Sequence, residues 1–418
     1  MQNQTISTAH EILDSVETSC CIVGGGPAGV MLALLLARQD IPVILLEAHA
    51  DFDREFRGDT IHPSVMTILD ELGLAERFLQ LQHTEMREMV FQTSRGEVHL
   101  ANFAHLAKTA KYPFVALLPQ VDFLNFITRE ASRYPCFQLV FNAQVDSLIE
   151  EEGVVHGVRY RGKDGWHEVR APLTVGADGR FSRMRKLAGM EPIKASPPMD
   201  ILWFRLSRQS GDSSETFARF GARAILVLLN RFDYWQVGHV IPKGQYQQVR
   251  AAGLEHLRAV VAETLPELAE RAQELRDWKQ VSVLSVEASR LPQWYRPGLL
   301  LIGDAAHVMS PVGGVGINYA IQDAVATANI LAPDLQRGQL PLKHLAAVQR
   351  RREIPTRFIQ LVQTFLQNRV FALALAQDQD HPFTLPLPLR VLGKFPLLSG
   401  LLPRLMGLGL WPVHVNRK

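Results

Sequence analysis

Residues 19–47 constrain the chain more than any other segment. Ser19-Cys20-Cys21-Ile22-Val23 is a short apolar run that ends in Gly24-Gly25-Gly26-Pro27-Ala28-Gly29. Residues 27–38 read as a helix, with Pro27 near its first turn, where a missing N–H costs little. Residues 41–47 form a second apolar run closed by Glu47. A strand–helix–strand unit with uninterrupted apolar strands predicts a parallel sheet covered on both faces. In Gly24-x-Gly26-x-x-Gly29 the first glycine permits a tight turn and the second lets a pyrophosphate approach the backbone. The third lets helix and strand pack closely. The helix start offers free N–H groups to phosphates, and a carboxylate at Glu47, followed by Ala48, is placed to accept ribose hydroxyls. This is a dinucleotide site, and the pattern alone does not separate FAD from NAD.

The chain has 418 residues, 47% hydrophobic and 21% charged, more than one core usually serves. A formal net charge of +2 is too mild to imply nucleic acid as a partner. The three cysteines, Cys20, Cys21 and Cys136, have no metal-ligand spacing, so neither a metal site nor a disulfide framework is expected. That usage fits a reducing cytoplasm. Residues 1–18 are polar, without the apolar core of a secretory signal, and no apolar run reaches bilayer-spanning length.

Further along, 63–81 and 121–131 read as helices, 137–148 and 153–160 as strands, and Lys163-Asp164-Gly165 as a hairpin turn. Residues 173–175 are another buried strand, leading into Gly176-Ala177-Asp178-Gly179. Between about 199 and 240 the texture changes to alternating, aromatic-rich segments that predict an antiparallel sheet. Leu299-Leu300-Leu301-Ile302 returns to the continuous apolar style. It delivers Gly303 and Asp304 to the carboxyl end of the sheet, where such folds bind ligands. The loop from Pro311 through Gly314 to Gly316, Ile317 and Asn318 then opens a helix whose N–H groups suit negative charge.

Taken in order, the Gly24, Asp178 and Gly303-Asp304 segments resemble the group A flavoprotein aromatic hydroxylases, over most of residues 17–335. The resemblance implies FAD as cofactor and NADPH or NADH as transient electron donor. It implies O2 as co-substrate, with a flavin C4a-hydroperoxide passing one oxygen atom to an aromatic or other electron-rich small molecule. It further implies flavin contacts at Arg57, in Phe56-Arg57-Gly58, and at Gln120, beside a helix start. No second Gly-x-Gly-x-x-Gly is present, which disfavours flavoproteins with a separate NADPH domain. A reductase of isoprenoid double bonds stays open as an alternative. A halogenase fits less well, because Trp235-Gln236-Val237-Gly238-His239-Val240-Ile241-Pro242 lacks the Trp-x-Trp-x-Ile-Pro segment of those enzymes.

The expected fold is α/β, a Rossmann-like FAD-binding domain with a parallel sheet plus an antiparallel-sheet substrate domain and C-terminal helices. The first comprises residues 17–85, 115–195 and 285–335; the second 86–114 and 196–284; the third 336–418. No catalytic side chain is identifiable from the sequence, His307 included. Phe91, Trp203, Arg205, Tyr234 and Trp235 are the substrate-pocket candidates, and an arginine buried there needs a partner such as an acidic or phenolic substrate. The C-terminal region combines Arg350-Arg351-Arg352 with an apolar stretch from Leu385 that holds Lys394 and Arg404. It reads either as helices covering the rear of the site or as a peripheral membrane contact admitting a lipophilic substrate.

Overall fold

Strand Cys20–Val23 runs through the middle of a six-stranded sheet. It pairs in parallel with Val43–Glu47 on one side and with Leu173–Gly176 on the other. Phe137–Phe141 extends one edge, and the hairpin Tyr295–Arg296 and Leu299–Leu301 extends the other. Helix Pro27–Ala37 is apolar all round, and every residue from Ala28 to Ala37 is buried, as such a helix must be. It packs against the sheet and against helices Gln120–Ala131 and Gly316–Gln336. The structure is a computed structural model that describes residues 11–53, 59–93, 96–213, 215–221, 224–376 and 400–416.

The alternating segments form a seven-stranded, largely antiparallel sheet. Its order is Ser282–Leu284, Met199–Ser207, Tyr234–Pro242, Ile225–Arg231, Phe217–Phe220, Glu88–Thr93, Gly96–Asn102. Side chains on a strand point alternately to opposite faces, and both faces of this sheet are covered. Leu202, Phe204, Leu226, Leu228, Trp235 and Val237 pack with Leu257 and Val261 of helix Leu254–Thr264. Ile201, Trp203, Val227 and Val240 face the other way, toward Leu366, Val370 and Phe371. A mixed four-stranded sheet, Ile12–Glu17, Trp166–Arg170, Val154–Arg161 and Gln144–Glu151, completes the outer side.

Two predicted elements divide. The helix read over 63–81 is two helices, Pro63–Glu71 and Ala75–Phe78, because Gly73 takes a φ of +70° just past the end of the first. The strand read over 137–148 splits at Asn142, whose φ is +58°. Phe137–Phe141 stays in the parallel sheet while Gln144–Glu151 leaves for the four-stranded one.

Helix Leu342–Leu366 lies across the rear. Its Arg352 is fully buried, with Nε donating to Asp323 Oδ1 at 2.8 Å. Asp323 Oδ2 accepts from Gly303 N at 3.0 Å and pairs with His307 Nε2 at 2.6 Å. Burial pushes the Asp323 carboxyl up, but His307 and Arg352 outweigh it and hold the group below the usual range. A row of glutamines on the same helix bonds to the backbone of a short strand pair and of the loop after it. Gln360 Nε2 donates to Ser289 O and Val308 O, both at 3.0 Å, and Gln363 Nε2 to Ser310 O and Val312 O, both at 2.8 Å. The chain then continues through a π-helical turn, Gln367–Phe371.

Replacing one partner of a buried pair leaves an uncompensated charge, which costs about 3–5 kcal/mol. Arg352→Met is therefore expected to lower unfolding stability by about that amount, measured in urea. Adding Asp323→Asn should recover part of the loss.

Candidate active site

One cavity of about 680 Å³ runs from Glu47 and the glycine loop to the inner face of the seven-stranded sheet. At its first end, Gly24 has a φ of +107°, and a Cβ there would sit 2.5 Å from Ala177 O. A Cβ on Gly29 would come 2.0 Å from Gly24 O. Both glycines are required by backbone packing alone. Gly26 differs: with φ −75° and ψ −178° it is open to any residue, and its nearest neighbour would be Ala177 O at 3.8 Å. The space over Gly26 belongs to the cavity. Helix Pro27–Ala37 has no side-chain cap, so its first N–H groups lack the partner that a capping side chain would supply.

Glu47 sits at the end of its strand, 8% exposed. Its Oε2 accepts from Gly25 N at 2.8 Å, and its Oε1 meets His49 Nδ1 at 2.6 Å and His49 N at 3.0 Å. Burial raises its pKa, but these hydrogen bonds prevail and hold it below the ordinary value. Asp178 lines the cavity. Its carboxylate accepts from Ser182 Oγ at 2.6 Å and Met184 N at 2.9 Å, so the acid also fixes the start of helix Arg183–Leu187.

At the far side, Gly313 and Gly314 take φ values of +80° and +62°. A Cβ on Gly314 would collide with Thr60 Oγ1, which donates to Gly314 O at 2.6 Å. Asn318 does not line the cavity; its Oδ1 accepts from His62 N at 2.8 Å and its Nδ2 donates to Thr60 O at 3.1 Å. His62 is fully buried, which drives its imidazole pKa down to about 4, and Nδ1 donates to Met406 O at 2.9 Å. Helix Leu401–Gly407 is thereby fixed beside the glycine loop, with Met406 in the cavity wall.

Among the cofactor candidates, Gly24, Gly26, Pro27, Ala28, Glu47, Ala48, Gln120, Asp178, Asp304, Pro311, Gly314, Gly316 and Ile317 line this one cavity. Gly29, Gly303 and Asn318 lie behind it and support the backbone that does. Arg57 is outside the described residues. Of the pocket candidates, Phe91 and Trp203 line the chamber, and Arg205 stacks on Tyr234 at 5.0 Å beyond its end. Trp235 is corrected: strand alternation turns it to the opposite face, against Phe217 and with Nε1 donating to Asp212 at 3.0 Å. The wall residues Thr60, Ser310, Gln236, Leu366, Val370, Phe371 and Met406 went unread in the sequence. Only alternation with Trp235 pointed to Gln236; the rest are brought in by long-range packing.

The residues present fit FAD. An elongated cavity joins a pyrophosphate cradle left open at Gly26 to a second uncapped helix start at Gly316, and an apolar chamber lies beyond. The sequence matches the model of a family described as an FAD binding domain over residues 17–362. It is 36% identical to a 6-methylpretetramide 4-monooxygenase of Streptomyces rimosus, over 85% of each protein. The fold superposes on the p-nitrophenol 4-monooxygenase of Pseudomonas putida DLL-E4 with TM-score 0.78, at 21% identity, covering 94% of this chain and 97% of the other. The anhydrotetracycline hydroxylase of Streptomyces rimosus gives TM-score 0.74 at 23% identity, covering 94% and 76% respectively.

Gly26→Ala adds a Cβ that the protein itself accommodates, its nearest neighbour being Ala177 O at 3.8 Å, but that enters the phosphate space. It is expected to weaken FAD binding at least about 100-fold, about 2.7 kcal/mol, with the thermal midpoint of the FAD-free protein unchanged. Titration of stripped protein with FAD, followed by flavin fluorescence, decides it.

Proposed function

The chain belongs to the FAD-binding-domain family of flavoprotein monooxygenases, and from that premise we propose that it hydroxylates a polycyclic aromatic compound using O2 and NAD(P)H. The observation that carries this reading is the continuity of the cavity from the glycine cradle into a chamber walled by Phe91, Ile201, Trp203, Val227 and Phe371. Those side chains offer flat, apolar contact to fused rings and hold water away from the reacting centre. The 4-monooxygenase relative is named for a substrate of this kind. Reduction of an isoprenoid double bond is not favoured, since the relatives above are oxygenases.

Bound FAD supplies hydride acceptance from NAD(P)H and the activation of O2. The chain's own work is placement. Gly24, Gly26 and the start of helix Pro27–Ala37 would hold the pyrophosphate, Glu47 the ribose, and Asp178 and Asp304 the segments between. Pro311, Gly314 and Gly316 would present backbone N–H groups to the flavin ring, a donor set that favours negative charge there. Gln120 and Arg57 complete the proposed contacts.

The purified protein is expected to be yellow. With NAD(P)H and hydroxylated polycycles it should take up O2 and place one atom of 18O2 in the product. NAD(P)H oxidation that yields only peroxide with every polycycle tried would sink the substrate class.

Residues 385–399 of the apolar stretch read as a membrane contact, Lys394 included, lie outside the described residues. One observation on a neighbouring helix favours a peripheral contact with an anionic membrane as the route for a lipophilic substrate. On helix Leu342–Leu366, Ile354, Leu361 and Phe365 are 51%, 69% and 41% exposed, on one stripe, with Arg350 and Arg357 beside it. The same helix ends in the cavity wall at Leu366. No helix among the described residues is long and apolar enough to cross a membrane. Binding to phosphatidylglycerol vesicles, read by co-sedimentation, is expected to fall at least about 10-fold in Leu361→Glu/Phe365→Glu. Equal sedimentation of both proteins would refute the contact.

A further inference from the structure

The inner face of the seven-stranded sheet grades from apolar to charged. Along Met199–Ser207 the positions on this face run Ile201, Trp203 and Arg205, the last exposed rather than buried as expected, and along Ile225–Arg231 they run Val227, Leu229, Arg231. Register sets Gln236 of the strand between them opposite both Arg205 and Leu229, and Gln236 lines the cavity. Asp59 meets this charged end from the other side. It lines the cavity, accepts from Gln120 N at 3.3 Å, and forms an ion pair with Arg231, whose side chain is 4% exposed. Arg231 Nε in turn donates to Gln236 Oε1 at 3.2 Å, while its Nη1 is buried with no partner.

Asp59 is thus fixed on two sides beside an apolar chamber. Among the described residues each of its carboxylate oxygens carries one donor, and a carboxylate oxygen can accept more than one. Its neighbour Thr60 is bonded to Gly314 O, so the carboxylate stands where the glycine loop and the sheet meet. The acid thus caps the start of helix Gln120–Ala131 and neutralises the buried Arg231, and it does both from the cavity wall.

We propose that Asp59, held by Arg231, accepts the hydrogen bond of an aromatic hydroxyl on the substrate and so decides which rim of the polycycle enters beside the glycine loop. This rests on the oxygenase reading and names the substrate feature that the site selects. As the proton moves toward Asp59, the O–H electron pair stays on the substrate oxygen and enriches the ring, which is the partner that gives electrons to the incoming oxygen atom.

Among the described residues the charged groups acting on Asp59 are Arg231 and Arg205 from the sheet, and the Gln120 N–H donates from helix Gln120–Ala131. Burial raises the Asp59 pKa to about 6 against the lowering effect of those groups. The carboxylate is therefore present above about pH 6 and lost below it, and selection for the hydroxyl follows the same direction.

The test is binding, measured by calorimetry on the FAD-loaded protein, with 2-hydroxyanthraquinone and its 2-methoxy ether. The ether keeps the rings and lacks the proton. Above neutrality, wild type should prefer the hydroxyl compound by about 10- to 100-fold, the range of a hydrogen bond to a charged group. The preference should collapse as pH falls through about 6. Asp59→Asn should weaken the hydroxyl compound by about 10-fold or more, leave the ether within about two-fold, and remove the pH dependence. Because Asp59→Asn strands a buried Arg231, the double variant Asp59→Leu/Arg231→Met serves as the second measurement, and it should lose the preference too. A wild-type ratio near one, or a ratio retained in either variant, overturns the proposal and leaves the monooxygenase reading intact. Failure of both anthraquinones to bind the wild type would instead remove the polycyclic substrate class on which the proposal rests.

Discussion

A single buried carboxylate, Asp323 on helix Gly316–Gln336, ties the segment 303–307 to the rear helix. It takes donors from Gly303 just past the end of a sheet strand, from His307 in the short strand beyond, and from Arg352 on the rear helix. Isolated in an apolar interior such a charge would be prohibitive; with three donors it becomes a fixed point. The turn that carries Asp304 hangs from it, as does the loop that continues through Ser310 to Gly314. The cofactor end and the substrate end of the cavity share that loop, so both depend on the same anchor.

The rear helix does a second job through its glutamines. Backbone carbonyls left over at the end of a short strand pair, or in a loop that lines a cavity, still need donors. Gln360 and Gln363 each bridge two carbonyls of the adjoining backbone. The loop is held as if at the edge of a sheet, while its other side stays free for a ligand. The π turn that follows directs Val370 and Phe371 into the chamber wall.

Much of the cofactor half was legible because its chemistry is local. The glycine spacing, the apolar strands and Glu47 lie within thirty residues, and backbone sterics leave few alternatives. Gly24 and Gly29 could be assigned from sequence because an added Cβ would meet backbone that nothing can move. The substrate half was legible only in its period. Alternation identified the strands and put Trp203 and Arg205 on one face, but it could not say which of two covered faces held the cavity, and Trp235 fell on the wrong one. Asp59 and Met406 were hidden for a different reason. Each acquires its meaning from a partner more than a hundred residues away, and no periodicity encodes such a meeting.

The seat of helix Leu401–Gly407 bears on when the protein can become functional. Met406 and the carbonyl bonded to His62 finish a wall whose opposite side begins at Gly24. In translation order the glycine turn at Gly24 precedes helix Leu401–Gly407 by more than 370 residues. A nascent chain can therefore form its first strand, helix and second strand without offering a finished compartment. A finished compartment therefore waits for helix Leu401–Gly407, and ribosomes that stall between Gly316 and Leu401 would release chains with a sound sheet and an unsealed site.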